Sequence, residues 1–181
     1  MSKFCEEEIV VRLHNISTRN KAFEELVGHF SSALYWQIRR IVVFHDDADD
    51  VLQNTFVKAW TSIDSFRGDS KLSTWLYKIA LNESLTFLNR NKKNLCVESD
   101  VDGVAEMLES DPYFDGDEVQ ALLQEAISLL PNKQRVVFNM KYFEGMKYED
   151  MSELLDTSVG ALKASYHHAV KKIEEFFKSK E

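Results

Sequence analysis

Apolar residues recur every three or four positions along most of the chain, the period of helices buried on one side. Over 20–44 the stripe is Phe23, Leu26, Val27, Phe30, Leu34, Ile38 and Ile41. Asp46 and Asp47 then suit the positive end of a second helix and can cap it. Its inward stripe is expected to be Ala48, Leu52, Phe56, Ala59, Trp60 and Ile63. Residues 66–70 form a loop, and a third strong helix is expected over 72–90. Trp75, Leu76, Ile79, Ala80, Phe87 and Leu88 point inward there, with Trp75 the foremost candidate for burial. Further on, helices are expected over 119–130, ended by Pro131, and over 132–143, with Gly145 as a C-terminal cap. Two more cover 147–155 and 159–177. Ile9, Val10 and Val11 come nearest to a strand, but Leu13 and the flanking acids fit a short helix as well. The chain has no internal repeat. The pattern predicts an all-α protein.

Length and charge divide it in two. The 181 residues suffice for one large domain or two small ones. The formal charge of −8 argues against a phosphate-binding surface when taken alone. The charge is uneven, however. Residues 98–118 hold nine acids and no Lys or Arg, while the stretches before and after are close to neutral. That segment also holds Gly103, Pro112 and Gly116 and has weak periodicity. Two readings fit it: a solvated linker, or an acidic strap that covers a basic surface or mimics nucleic acid. The expected organisation is a helical domain over 1–95, an acidic flexible linker over 96–118 and a second helical domain over 119–181.

Other chemistry is sparse. Cys5 and Cys96 make neither a disulfide framework nor a zinc site, and fit reduced thiols of a cytoplasmic chain. Glu6, Glu7 and Glu8 stand where an export signal carries bases, which disfavours export. No apolar run approaches the roughly 18 residues of a membrane span, so direct membrane insertion is not expected. His14, His29, His45, His167 and His168 build no metal motif, and no glycine-rich loop or nucleophile elbow is present. The chain is therefore expected to have no metal, no cofactor and no catalytic residues, and not to be an enzyme.

Three surfaces carry the functional signal. The last two helices read as a helix-turn-helix, with Tyr148, Met151, Leu154 and Leu155 inward on the first. A tight turn over 156–160 follows, with Thr157 or Ser158 available as a cap. The second helix buries Leu162, Tyr166, Ala169, Ile173 and Phe176 or Phe177. Its other face presents Gly160, Lys163, Ala164, His167, His168 and Lys171, small and basic groups suited to a DNA groove. Lys171 and Lys172 would meet phosphates. The alternative is the solvated face of an ordinary helical hairpin. A second basic face lies between Phe66 and Lys93, which holds six bases against Asp69 and Glu83. Lys71, Thr74, Lys78, Asn82, Asn89 and Lys93 share one line, with Leu85 the misfit. Such a stripe suits a nucleic-acid strand. The third surface differs in character. Asp50, Gln53, Asn54 and Val57 face outward beside Asp46, Asp47 and Asp49. That face would repel DNA and suits either plain solvation or a basic protein partner.

Residues 47–60 (DADDVLQNTFVKAW), 66–82 (FRGDSKLSTWLYKIALN) and 129–145 (LLPNKQRVVFNMKYFEG) with 148–173 resemble regions 2.2, 2.3–2.4 and 4 of bacterial sigma-70 family factors. The similarity is to the extracytoplasmic-function (ECF) group and spans nearly all of 5–178. It implies a sigma factor that binds core RNA polymerase and directs promoter-specific initiation. Asp49, Asp50, Gln53 and Asn54 would dock on the β′ clamp helices. Arg67, Ser70, Lys71, Lys78, Asn82, Arg90 and Lys93 would recognise and hold the −10 element as it opens. Gly160, Lys163, Ala164, His167, His168, Lys171 and Lys172 would serve the −35 element. The C-terminal domain would also touch the β flap, and an anti-sigma factor would control the protein. A conventional helix-turn-helix regulator, acting without polymerase, would leave the Asp46–Trp60 face without a task.

The recognition helix departs from the pattern. Gly-Thr-Val-Lys-Ser-Arg, common in the family, is here Gly160-Ala161-Leu162-Lys163-Ala164-Ser165, and two positions often basic are His168 and Val170. Phosphate anchoring is expected to be weaker, and DNA binding through His167 and His168 to vary between roughly pH 6 and 7.5.

Overall fold

The computed structural model describes residues 4–94, 104–109, 111 and 116–180. Among these every regular element is helical: α1 Glu6–Leu13, α2 Arg19–Val42, α3 His45–Ser62, α4 Leu72–Asn94, α5 Val104–Glu109, α6 Glu118–Ser128, α7 Asn132–Tyr142, α8 Tyr148–Leu155 and α9 Val159–Lys180. One turn of 3-10 helix, Ile63–Ser65, follows α3. The stretch that came nearest to a strand is α1; it buries Ile9 and Leu13 and carries three acids in its first turn, where the helix dipole favours them. The chain forms two compact units. The first holds the residues up to Arg39 and His45–Phe87; the second holds Arg40–Phe44 and Leu88–Glu181.

In the first unit, Leu13, Leu26, Ile38, Ile63, Leu72, Leu76 and Leu81 are essentially without solvent contact. The α3 stripe differs from expectation. Ala48, Val51, Thr55 and Ala59 are buried, Leu52 and Phe56 are half-buried, and Trp60 is 38% exposed. Ala48, Thr55 and Ala59 are small, which suits close helix approach. Thr55 is satisfied internally, donating to the Val51 carbonyl at 2.7 Å. The larger rings lie at the flank, where Phe23 meets Trp60 edge-on at 4.9 Å. Trp75 is also only half-buried and leans on Phe66 at 5.1 Å. Asp46 and Asp47 do not cap α3, because the helix already begins at His45 and they fall in its first turn.

The second unit has two apolar clusters. One joins Ala126, Ile127 and Leu130 to Phe138, Ala169 and Ile173, tying α6, α7 and α9 together. The other groups Val43 with Val104, Ala105, Leu108 and Ala121. The segment expected to be linker thus contains a helix, α5. Its apolar face is one turn long, too short to register as periodicity. Its start is held by buried Glu125, whose Oε2 accepts from the Ala105 amide at 2.9 Å. Asp117 caps α6, accepting from the Gln120 amide at 2.8 Å. Of the segment's nine acids, those at 98, 100, 102 and 115 lie outside the described residues, as does Cys96. Arg135 is buried in α7, donating to the carbonyls of Ile41, Ser128 and Leu130. Among the described residues no helix is long and apolar enough to cross a membrane.

Candidate polymerase and promoter interfaces

Each surface follows from which helix face the core leaves free. On α3 the buried side is Ala48, Val51, Thr55 and Ala59, so Asp49, Asp50, Gln53 and Asn54 all stand in solvent. Val57, 63% exposed, and the free part of Trp60 extend this polar face with an apolar rim. The sequence pattern placed Trp60 inward; the small residues beside it were the available signal that it would lie at the edge. Asp49 stands 3.6 Å from His45 Nε2, and His45 Nδ1 lies 2.7 Å from the Tyr35 hydroxyl. Half-buried Asp47 is held above its ordinary carboxylate range, first by burial and then by Asp50 and Asp46. The face is a run of negative charge on a packed support.

The loop before α4 is anchored by two buried apolar residues, Phe66 and Leu72, leaving Arg67, Ser70 and Lys71 exposed between them. Gly68 turns the chain with a φ of +79°. Along α4, Leu76, Ala80, Leu81 and Ser84 are buried, while Thr74, Lys78, Asn82, Asn89 and Arg90 are exposed. Leu85, the misfit of that line, is half-buried. The Lys93 side chain lies outside the described residues. Lys58 of α3 pairs with Glu83 of α4 at 2.7 Å, removing one acid from the vicinity.

In the second unit α8 and α9 form the helix-turn-helix. Asp156 ends α8 in the left-handed region (φ 47°). Ser158, not Thr157, starts α9, its Oγ accepting from the Ala161 amide at 3.3 Å. Thr157 instead donates to the Leu155 carbonyl at 3.0 Å. Met151 and, on α9, Leu162, Ala169 and Ile173 are buried, with Tyr166 stacked on Phe138 at 5.8 Å. That leaves Gly160, Lys163, Ala164, His167, His168, Lys171 and Lys172 exposed on one side. Two of the lysines have neighbours: Lys163 Nζ sits 5.7 Å above the Tyr148 ring, and Lys171 lies 3.8 Å from Glu175. An alanine Cβ at Gly160 would meet nothing within 4 Å, so the fold does not require glycine there. Among the described residues no group of three or more His, Cys, Asp or Glu is placed to hold a metal ion.

Two family models match the chain: sigma-70 region 2 over residues 26–94 and sigma-70 region 4 over 120–173. The ECF RNA polymerase sigma-E factor of Haemophilus influenzae is 32% identical over 171 residues, covering 85% of this chain and 86% of the relative. The chain belongs to the ECF RNA polymerase sigma factors. The RNA polymerase sigma-H factor of Pseudomonas aeruginosa is 29% identical over 186 residues, 94% of this sigma factor and 92% of the relative. The structure of CnrH with the cytosolic domain of CnrY superposes with a TM-score of 0.69 at 23% identity, covering 97% of this chain and 99% of that one. The sigma factor RpoE of Bartonella quintana, solved with the anti-sigma factor NepR, gives 0.66 at 23% identity, over 87% and 98%. These likenesses establish the two-domain helical fold of this sigma factor.

Proposed function

We propose that this ECF sigma factor binds core RNA polymerase and directs initiation at a particular class of promoter. In this reading it is not itself an enzyme and works in the cytoplasm. Asp49, Asp50, Gln53 and Asn54 dock on the basic β′ clamp helices. Arg67, Ser70, Lys71, Lys78, Asn82, Arg90 and Lys93 receive the −10 element. Gly160, Lys163, Ala164, His167, His168, Lys171 and Lys172 meet the −35 element, and the same domain touches the β flap. Residues 1–95 and 119–181 act as the two working domains, joined by 96–118. An anti-sigma factor restrains the protein; the neighbour solved with the anti-sigma factor NepR supports such a partner.

The observation that carries the reading is that every described residue of these three sets is exposed, either on a helix whose opposite face is buried or on the loop before α4. Opening the −10 element costs a few kcal/mol of unstacking per base, which contacts along α4 and its loop would offset. The direct test adds the purified chain to core polymerase and reads initiation from a promoter library. Promoter-selective initiation supports the reading; tight binding to duplex DNA without polymerase would point to a conventional regulator instead. Changing Asp50, Gln53 and Asn54 together to Ala is expected to weaken polymerase binding at least tenfold, the factor for about 1.4 kcal/mol, with the thermal midpoint unchanged. Unchanged affinity would put the docking face elsewhere.

A further inference from the structure

Helix α1 belongs to none of the three surfaces, yet its polar side chains end on both sides of the 67–71 loop. Glu6 Oε2 lies 2.9 Å from the Leu72 amide and 3.5 Å from the Ser73 amide, which donate to it. These amides open α4 and have no acceptor within their own helix. Eight residues on, about 12 Å along a helix axis, His14 follows the last turn of α1. Its Nδ1 is 2.9 Å from the Val10 carbonyl and its Nε2 is 3.1 Å from the Phe66 carbonyl. Both partners can only accept. A neutral imidazole has one N–H and can serve one of them; the imidazolium has two and serves both. A third tether lies beside these. Arg19 donates through Nε to the Leu13 carbonyl at 2.8 Å, and its guanidinium holds Asp64, just before the loop, at 2.5 Å.

We propose that α1 and the His14 that ends it form a positioning clamp for the −10 loop: Glu6 holds the loop's exit and His14 holds its entry, so that loss of either tether weakens selection of the −10 element. The proposal rests on the reading of residues 67–71 as a −10 contact. Charged groups on the elements around the ring are Arg12, paired with Glu25 at 2.7 Å, and Arg19, paired with Asp64. Arg67 and Asp69 of the loop are exposed, and Glu7 and Glu8 sit with Glu6 at the far end of α1. His29 of α2 stacks on Phe4 at 3.7 Å.

The test uses holoenzyme on promoters that share one −35 element and differ at −10, at one pH and fixed salt. His14→Ala is expected to lower selection for the preferred −10 roughly three- to tenfold, the worth of one hydrogen bond, and His14→Gln, which keeps a donor nitrogen, to recover part of it. Glu6→Ala is expected to lower selection and to speed amide exchange at Leu72 and Ser73 in the free chain. Polymerase affinity and −35 selection serve as the control for folding in all three variants and are expected to match wild type. Wild-type selection in His14→Ala, or unchanged exchange in Glu6→Ala, overturns the clamp. Arg67→Ala separates the two failures. Lost selection in Arg67→Ala beside intact clamp variants removes the clamp alone; intact selection in Arg67→Ala removes the −10 reading and the clamp with it.

Discussion

Two exposed glycines near helix ends have opposite requirements. Gly145 follows α7 with a φ of +60°, where an L side chain is strained. Gly145→Ala is expected to cost about 1–2 kcal/mol, read from urea unfolding. Gly160 lies in the first turn of α9 without positive φ and with open space around it. Gly160→Ala is expected to stabilise the fold by about 0.5–1 kcal/mol while reducing initiation at promoters that depend on the −35 element. Such a split would assign the glycine to close approach of DNA. Asp47 gives a pH signature. Burial raises its pKa above that of the unfolded chain, so the fold favours the protonated form. Its contribution therefore turns unfavourable as pH rises through the unfolded value, and the penalty is complete above the raised one. Asp47→Asn is expected to be more stable than wild type at pH 7 and to lose that advantage toward pH 3, as urea midpoints would report.

At the scale of elements, α7 shows how one buried charge organises its surroundings. Burial pushes the Arg135 guanidinium down to about 10, so it stays charged at neutral pH. Its compensation comes from backbone carbonyls, those of Ile41, Ser128 and Leu130. Arg135→Met would fill the space but leave these acceptors unpaired, and is expected to cost about 2–4 kcal/mol. The loss should be constant from pH 6 to 9, because the group does not titrate there. A neutral or stabilising effect would mean that the carbonyls find other partners. Elements also mark the limit of periodicity. The exposed polar face of α3 was legible, because charged residues reveal the outside of a helix. Which apolar residues filled the inside was less so, since Leu52, Phe56 and Trp60 outrank Ala48, Thr55 and Ala59 in hydrophobicity but not in fit.

For the molecule as a whole, the charge of −8 should dominate its behaviour away from polymerase. Self-repulsion from DNA is screened by salt, whereas specific phosphate contacts weaken with it. The free chain is expected to bind duplex promoter DNA weakly at every salt concentration, and the holoenzyme to bind it tightly with a steep loss between roughly 50 and 200 mM salt. Fluorescence anisotropy with labelled promoter DNA measures both. Tight, salt-sensitive binding by the free chain would contradict the division of labour proposed for the three surfaces.

The sequence by itself determined the all-helical class, the placement of most helices, the family and the three polar faces. Those features depend on spacing within one helix, where a period near 3.6 separates inside from outside before any partner is known. Tertiary structure alone decided what depends on contacts between distant segments. The rotation of α3 that leaves Trp60 at the surface, the short helix α5 held by Glu125, and Val43 at a φ of +80° have no local signature. Nor do the meetings of Glu6 with Leu72 or His14 with Phe66, because a hydrogen bond across more than 50 residues is set by how helices pack.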